Sequence, residues 1–470
     1  MFTPDTQAQR SREAGRLVAS LADEGTRFVQ TEMPDINGTL RGKITTLKKG
    51  LSPSGSGVST ALMLFRSAEE FTFGPISNVD NGFPKMVAVP DYSTVARLPW
   101  QGDMASVLCD LYMDDGSPCS MDGRQILQRV VAQFAALGLE PRAALEWEFY
   151  AFEADEAAMR EGRFRELRPF GLGLECYSIT RFPSFEGLAK EFMTRMAAVG
   201  TDVECFHTEY GKGMYEFTCE HEPAVKAADD GLRAKTYLRQ LCYERGIVPT
   251  FMASLADGAT HSGCHHNLSL WRDGHNACWD EGTAALSPLG RHFLAGMLAT
   301  MPEFHVLFRP WVNSYRRLDR WSWNPEDASW GIDRHDVAVR VVHGALPEKY
   351  TRFEHRVPGP DVNPYLALAA MLWGGLRGIQ EHLDPPEPAA GDPLEAGRYA
   401  MLPRSLPESV EAFRNSANAR ELFGDAFVDH YVALKTDEHD AFSAWAKDHD
   451  TEQADSAVTD WEYEHYFTWV

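Results

Sequence analysis

Four short segments alternate acidic, basic or amide residues with bulky apolar ones. Successive side chains of an extended strand point to opposite faces, so this alternation gathers the polar groups on one side. In LEWEFY, Glu146 and Glu148 share a face while Trp147 and Phe149 point away. In GCHHNLSLW, His265, Asn267 and Ser269 lie opposite Leu268 and Leu270, and in TRFEHRV, Arg352, Glu354 and Arg356 lie opposite Phe353. The fourth, TEYGKGMYEF, reads as a hairpin whose Gly211-Lys212-Gly213 turn brings Glu209 near Glu216. Singly, each is compatible with the solvated face of an antiparallel sheet, and His265 with an ordinary hydrogen-bonded histidine. Jointly, five glutamates and one histidine suit hard divalent ions such as Mg²⁺ or Mn²⁺. Spacing alone does not bring the four segments together.

A second cluster is cationic. Eight arginines and one lysine lie between Arg309 and Arg356, a bias that suits bidentate recognition of carboxylates and phosphates. Interspersed acids (Asp319, Glu326, Asp327, Asp333, Asp336) leave a salt-bridged surface as the alternative.

The elements that must position these groups follow from periodicity. Ala14, Leu17, Val18 and Leu21 share one face of a helix over 11–25 that closes at Gly25. Phe28 to Thr31 then reads as a strand, MPDING as a turn, GKITTL as the returning strand and 52–57 as a flexible Ser/Gly loop. Ile126, Leu127, Val130, Val131, Phe134 and Leu137 recur at helical spacing after a polar stretch at 113–120, which marks a domain boundary. Further helices are expected over 226–245, 287–308, 363–383, 407–423 and 427–448, with Asn363-Pro364 as a helix start and 385–393 as a loop.

The chain has 470 residues, 44% of them hydrophobic, and a formal charge of −23. No basic block offsets that charge, which argues against nucleic acid or an anionic membrane surface as partner. No apolar run approaches the roughly 20 residues of a spanning helix, and Met1 to Arg12 is polar, so a cytoplasmic location is expected. The eight cysteines form no CxxC pairs, which speaks against structural zinc and for reduced thiols used as small hydrophobes.

In order along the chain, DINGTLRGK, EWEFY, HTEYGKGMYEF, HSGCHHNLSLW, NSYRRL, RFEHRVPGPDVNPYLALAA and WEYEHYF resemble the glutamine synthetase family, in particular its branch of γ-glutamylamide and γ-glutamylpolyamine synthetases. The resemblance implies an α+β fold: an N-terminal β-grasp domain (1–116) and a larger catalytic domain (117–470) with a curved antiparallel sheet and surrounding helices. It also implies a homo-oligomer, a dodecamer of two rings with active sites between subunits, ATP as co-substrate and two or three Mg²⁺ or Mn²⁺ ions per site. By the same resemblance Glu148, Glu209 and Glu216 hold the ion nearer glutamate, and Glu146, His265 and Glu354 the ion nearer the ATP phosphates. Arg317 and Arg356 clamp the amino acid, Arg340 and Arg352 lie at the nucleotide, and Ser269 lies at the adenine end. Asp35 reaches the amine site of the next subunit and, with Arg340 and Glu354, carries catalysis.

Four positions depart from the ammonia-using pattern. Thr260-His261 stands where an asparagine-glycine holds glutamate, which leaves another acid substrate open. Asn267 replaces a histidine and still donates to a phosphate. The phosphate-binding Asn-Arg pair reads as Asp333-Arg334 or as Arg334-His335, with spacing from Arg340 favouring His335. Trp323 stands where a glutamate helps bind ammonium, and Trp311, Trp321, Trp323 and Trp330 fall within twenty residues. A lost carboxylate and a gained apolar face point to an amine larger and less polar than ammonia, an alkyl or aromatic monoamine. A polyamine-using ligase, a true glutamine synthetase and a silent structural relative are the alternatives.

Overall fold

The computed structural model describes residues 4–256, 258–318, 323–449 and 457–470. It opens with a helix, Pro4–Asp23, which starts earlier than its apolar stripe and buries Ala14 and Leu21. Strands β1 (Phe28–Pro34), β2 (Leu40–Thr46), β3 (Ser56–Ser59), β4 (Lys85–Pro90), β5 (Ala96–Arg97) and β6 (Met104–Met113) form one sheet in the order β2-β1-β6-β4-β3, with β5 on β6. The stretch predicted as a loop over 52–57 ends inside β3, because Ser56 and Gly57 pair with Ala88 and Val87 of β4.

The β1–β2 hairpin closes on Asp35. One oxygen of its carboxylate accepts from the Asn37 and Thr39 amides (3.0 and 2.9 Å) and the other from Arg41 Nε (2.9 Å). This side chain, 2% exposed, uses both oxygens inside its own turn.

The second sheet carries β7 (Glu140–Glu153), β8 (Val203–Thr208), β9 (Met214–Cys219), β10 (Glu222–Pro223), β11 (Ile247–Thr250), β12 (Cys264–Arg272) and β13 (His275–Asn276). A two-stranded ribbon, β14 (Trp279–Asp280) and β15 (Ala285–Leu286), stands apart from it, and β16 (Trp330–Ile332), β17 (Val339–Val342) and β18 (Arg352–His355) complete it. The order is β16-β17-β18-β12-β7-β9-β8, antiparallel except for β16–β17, and the sheet curls into a half-barrel. The architecture is α+β, as expected.

Helices Gly123–Ala136, Ala224–Glu244, Pro288–Thr300 and Pro364–Glu381 pack near the apolar side of this sheet. The Pro364–Glu381 helix begins as its sequence dictates, with the Asn363 side chain accepting from the Tyr365 and Leu366 amides. Its glycines let the Pro288–Thr300 helix approach: a Cβ on Gly378 would lie 2.0 Å from the His292 carbonyl oxygen. Two long helical predictions break into pieces. The 287–308 stretch splits into Pro288–Thr300 and His305–Phe308 around Pro302, which has no amide proton to continue the ladder. The 407–423 stretch splits into Leu406–Asn415 and Ala417–Phe423 at Ser416, whose hydroxyl caps the second helix. A buried Arg233–Glu32 pair (2.9 Å) ties the Ala224–Glu244 helix to β1, and removing either partner is expected to cost about 3–5 kcal/mol. All eight cysteines are free thiols.

Candidate active site

Strand register assembles the polar faces. On β7, Glu146 stands opposite His265 of β12, and Glu148 opposite Glu216 of β9. Glu354 of β18 stands between Asn267 of β12 and Arg340 of β17, and His207 of β8 opposite Glu216. Trp147, Phe149, Phe217 and Phe353 are fully buried on the other side. The four alternating segments therefore form one continuous polar wall backed by an aromatic layer.

Two clusters of ligand-type atoms stand on that wall. In the first, Glu146, His265 and Glu354 bring one donor atom each within 4.8 Å of one another. His265 Nδ1 lies 3.2 Å from Glu146 and 3.6 Å from Glu354. Burial, reinforced by Arg356, drives the imidazole down to about 3, so it is neutral and offers a lone pair. Glu354 is crossed by Arg340 Nη1 at 3.1 Å and by Arg356. Glu146 accepts from Asn267 Nδ2 at 2.7 Å, and Asn267 Oδ1 accepts from Arg352 Nε at 2.9 Å.

The second cluster is His207, Glu209 and Glu216, again within 4.8 Å. The two ring nitrogens of His207 lie 3.4 Å from Glu209 and 3.3 Å from Glu216. Glu148 completes this end. Its carboxyl accepts from the Gly263 amide and is pushed up to about 8 by burial and then by Glu216 and Glu209. Among these three carboxylates stands His207, pushed up to about 10 against its burial by hydrogen bonding to Cys205 and Glu216, so a cation is held there, and oxygen donors with one imidazole are a set that fits a hard divalent ion in place of that proton. The first cluster offers the same chemistry.

The remaining predicted residues divide. Arg317 is buried, donates to the Val357 carbonyl at 3.0 Å, and lies close enough to Gly263 that a Cβ there would meet its Nη2 at 3.3 Å and His265 Nε2 at 3.0 Å. Arg356 Nε donates to the His335 carbonyl at 3.1 Å, which brings the His335 backbone to the wall. Arg334 turns away: its Nε bonds to Asp336 at 2.8 Å and its Nη groups to the Ala389 and Gly391 carbonyls, so its fork is already filled within the chain. The Ser269 hydroxyl accepts from the Trp271 indole at 2.9 Å. His261 is buried with Nδ1 at 3.1 Å from Ser254 Oγ, and Thr260 accepts through its carbonyl from the Tyr150 hydroxyl at 2.7 Å.

Trp323 is 54% exposed, adopts φ +55°, and stands edge-on to Tyr210 with ring centres 5.7 Å apart and 6.3 Å from His335. The tryptophan group does not act together. Trp311 and Trp330 are core residues whose indoles donate to the Asp361 and Pro386 carbonyls, while Trp321 and Asp319 lie outside the described residues.

The sequence profile of the glutamine synthetase catalytic domain matches residues 120–466. The chain belongs to the glutamine synthetase family. It is 32% identical over 440 residues to a glutamate–isopropylamine ligase of Pseudomonas sp., covering 92% of this chain and 93% of that protein. It is 34% identical over 440 residues to the γ-glutamylethanolamide synthetase GlnA4 of Streptomyces coelicolor, covering 92% and 91%. The solved structure of a GmaS/ADP complex shares the fold, with a TM-score of 0.79 at 23% identity over 95% of this chain and 98% of that one. This glutamine synthetase-family protein is an ATP-dependent carbon–nitrogen ligase, and its family uses ATP and divalent metal ions. Among its described residues no helix is long and apolar enough to cross a membrane.

Two residues of the ligase's wall escaped the sequence reading. His207 precedes Glu209 by two positions, the same alternation that exposed the other segments, and was read only from Glu209 onward. Tyr177 lies in an irregular loop, where no periodicity marks it. Its ring centre is 4.7 Å from that of His207.

Proposed function

We propose that the protein joins the γ-carboxylate of glutamate to an organic amine, in two steps on one wall. A carboxylate oxygen is a poor leaving group, so ATP first phosphorylates the γ-carboxylate, and the amine then attacks the acyl phosphate and expels phosphate. Arg317 and Arg356 hold the amino acid at the buried end. Arg340, Arg352 and Asn267 face the polyphosphate, where guanidinium donors meet the equatorial oxygens of the transferred group. Glu148, Glu209 and Glu216 would hold one divalent ion, and Glu146, His265 and Glu354 another, Mg²⁺ or Mn²⁺. Bound there, such ions neutralise phosphate charge and favour in-line transfer. The amine must attack unprotonated, and the carboxylates of the hairpin end, Glu209 among them, are placed to take its proton.

The observation that carries this reading is the join between an acid wall and an aromatic rim: Tyr210 and Trp323 stand at the exposed edge of the Glu209 hairpin. An apolar rim favours an alkyl or aromatic monoamine over ammonium, since each buried methylene adds about 0.8 kcal/mol. A polyamine reading draws on a different feature. Beyond Trp323 lies a cleft of about 340 Å³ lined by Glu326, Asp327, Asp336 and Asp392, and a distal ammonium group would be attracted there. Two of those acids already pair with Arg404 and Arg334, which keeps this reading second.

Residues 1–116 and 117–470 are assigned as the two domains, the chain as a cytoplasmic homo-oligomer, a dodecamer, with active sites between subunits. The test is phosphate release from ATP at fixed glutamate across ammonia, isopropylamine, benzylamine and putrescine, with Glu354→Ala as blank. Turnover highest with isopropylamine or benzylamine supports the reading, and full activity with ammonia overturns it.

A further inference from the structure

A second cationic site lies away from the catalytic wall. A cleft of about 190 Å³ opens between the 37–41 turn of the β1–β2 hairpin, the Ala224–Glu244 helix, Trp311, Asp361 and the chain's last two residues. On the same measure a single water needs roughly 10–15 Å³, so there is room for more than isolated solvent. None of the residues of the two acid clusters lines it.

Two cations project into the cleft from successive turns of the helix, Lys235 and Arg239. Lys235 is 7% exposed and uses one of its three donors, on the Pro360 carbonyl at 2.7 Å. Arg239 has buried Nε and Nη2 groups with no hydrogen-bond partner, and its Nη1 reaches only the Thr468 and Trp469 carbonyls at 3.5 and 3.4 Å. Among the described residues neither cation has a carboxylate within ion-pair distance. The other cations of the rim are already matched, Arg41 by Asp35 and Glu69, and Arg66 by Glu70. The buried acid of the cleft, Asp361, accepts from the Ser314 hydroxyl at one oxygen, and its Oδ1 has no hydrogen-bond partner.

Water would satisfy the idle donors, while the charge is met only by ring faces, Trp147 and Phe251 at 5.0 and 4.8 Å from Lys235 and Phe251 at 5.0 Å from Arg239, and by the nearby Asp361. Two like charges four residues apart on a helix repel each other, and burial pulls Arg239 down to about 10 and Lys235 well below the usual lysine range. An anion would answer donors and charge together, and a guanidinium with two free N–H groups is shaped for a bidentate oxyanion. We infer that this cleft is a binding site for a small oxyanion, phosphate or a short dicarboxylate, held by Arg239 and Lys235 between the β1–β2 hairpin turn and the Ala224–Glu244 helix.

The test is isothermal titration of sodium phosphate, and separately of sodium malonate, into the full-length protein and its variants. Arg356→Gln, which removes an anion-binding group of the catalytic wall, should still bind at least one of the two probes with wild-type affinity at this site. Arg239→Gln in that background should weaken the same probe about tenfold or more, and Arg239→Lys should retain part of the binding. Thr236→Glu, placing a negative charge on the cleft wall, should weaken it as well and serves if Arg239→Gln fails to fold. The preferred probe identifies the source, phosphate or carboxylate. Binding by Arg239→Gln and Thr236→Glu as tight as in the Arg356→Gln background, or no binding of either probe to Arg356→Gln, would overturn the inference.

Discussion

The two acid clusters stand side by side on one sheet, each with two glutamates and an imidazole, yet their surroundings differ. Glu146, His265 and Glu354 come from three separate strands and are crossed by cations and an amide: Arg340 and Arg356 on Glu354, and Asn267, backed by Arg352, on Glu146. His207, Glu209 and Glu216 come from one hairpin, and among the described residues no arginine forms an ion pair with these three, while Glu148 feels the charge of the buried Arg317. Their neighbours are rings, Tyr177 over His207 and Tyr210 against Trp323. The difference divides the labour of the wall. An end rich in guanidinium groups is made for polyphosphate, and an acid end rimmed by aromatics for an amine that arrives as a cation and reacts as a neutral, partly apolar molecule.

That contrast can be broken at each end. The largest effect is expected from Glu354→Ala, which removes one donor and leaves Arg340 and Arg356 facing each other: phosphate release should fall by about a thousandfold or more with every amine. His207→Ala should cost about 10–100-fold, the range for a group that orients or completes a metal site, and should weaken Mn²⁺ binding measured by titration. Trp323→Glu should leave ATP use intact and move the preference between isopropylamine and ammonia by about tenfold towards ammonia, the equivalent of one or two methylenes of lost apolar contact. An unchanged amine profile would remove Trp323 from the argument. The smallest effect belongs to Arg334→Ala. Its guanidinium is filled by Asp336 and two carbonyls, so KM for ATP should stay within about twofold of wild type, where an exposed salt bridge is worth at most about 1 kcal/mol.

Much of this wall was legible because strands have a period of two. Glu146, Glu148, Glu216, His265, Asn267 and Glu354 were readable from alternation, and the structure puts all six on one face. What alternation does not supply is the register between distant strands, which depends on how β7 threads between β9 and β12. Arg334 and His335 illustrate the limit. Spacing from Arg340 favours His335, but it does not say where the Arg334 side chain goes, which is set by its packing against 389–391. Asp35 shows the same limit, because an aspartate in a Pro-Asp-Asn-Gly turn is as well suited to bonding its own backbone as to reaching outwards. The tryptophans were grouped by sequence proximity, but Trp311 and Trp330 leave in different directions into the core. Helix ends were read well where a cap was explicit, at Asn363, and poorly where a proline or serine interrupts an apolar stripe, at Pro302 and Ser416.

The division between a phosphate end and an amine end is tested most directly by competition. Wild-type protein is supplied with ATP, glutamate, Mg²⁺ and equal concentrations of ammonia and isopropylamine, and the two γ-glutamyl products are quantified by mass spectrometry. The expected result is a γ-glutamyl-isopropylamide product in excess, with the balance moving towards glutamine in Trp323→Glu. Glutamine as the main product of the wild type, with the same ratio in the variant, would contradict it.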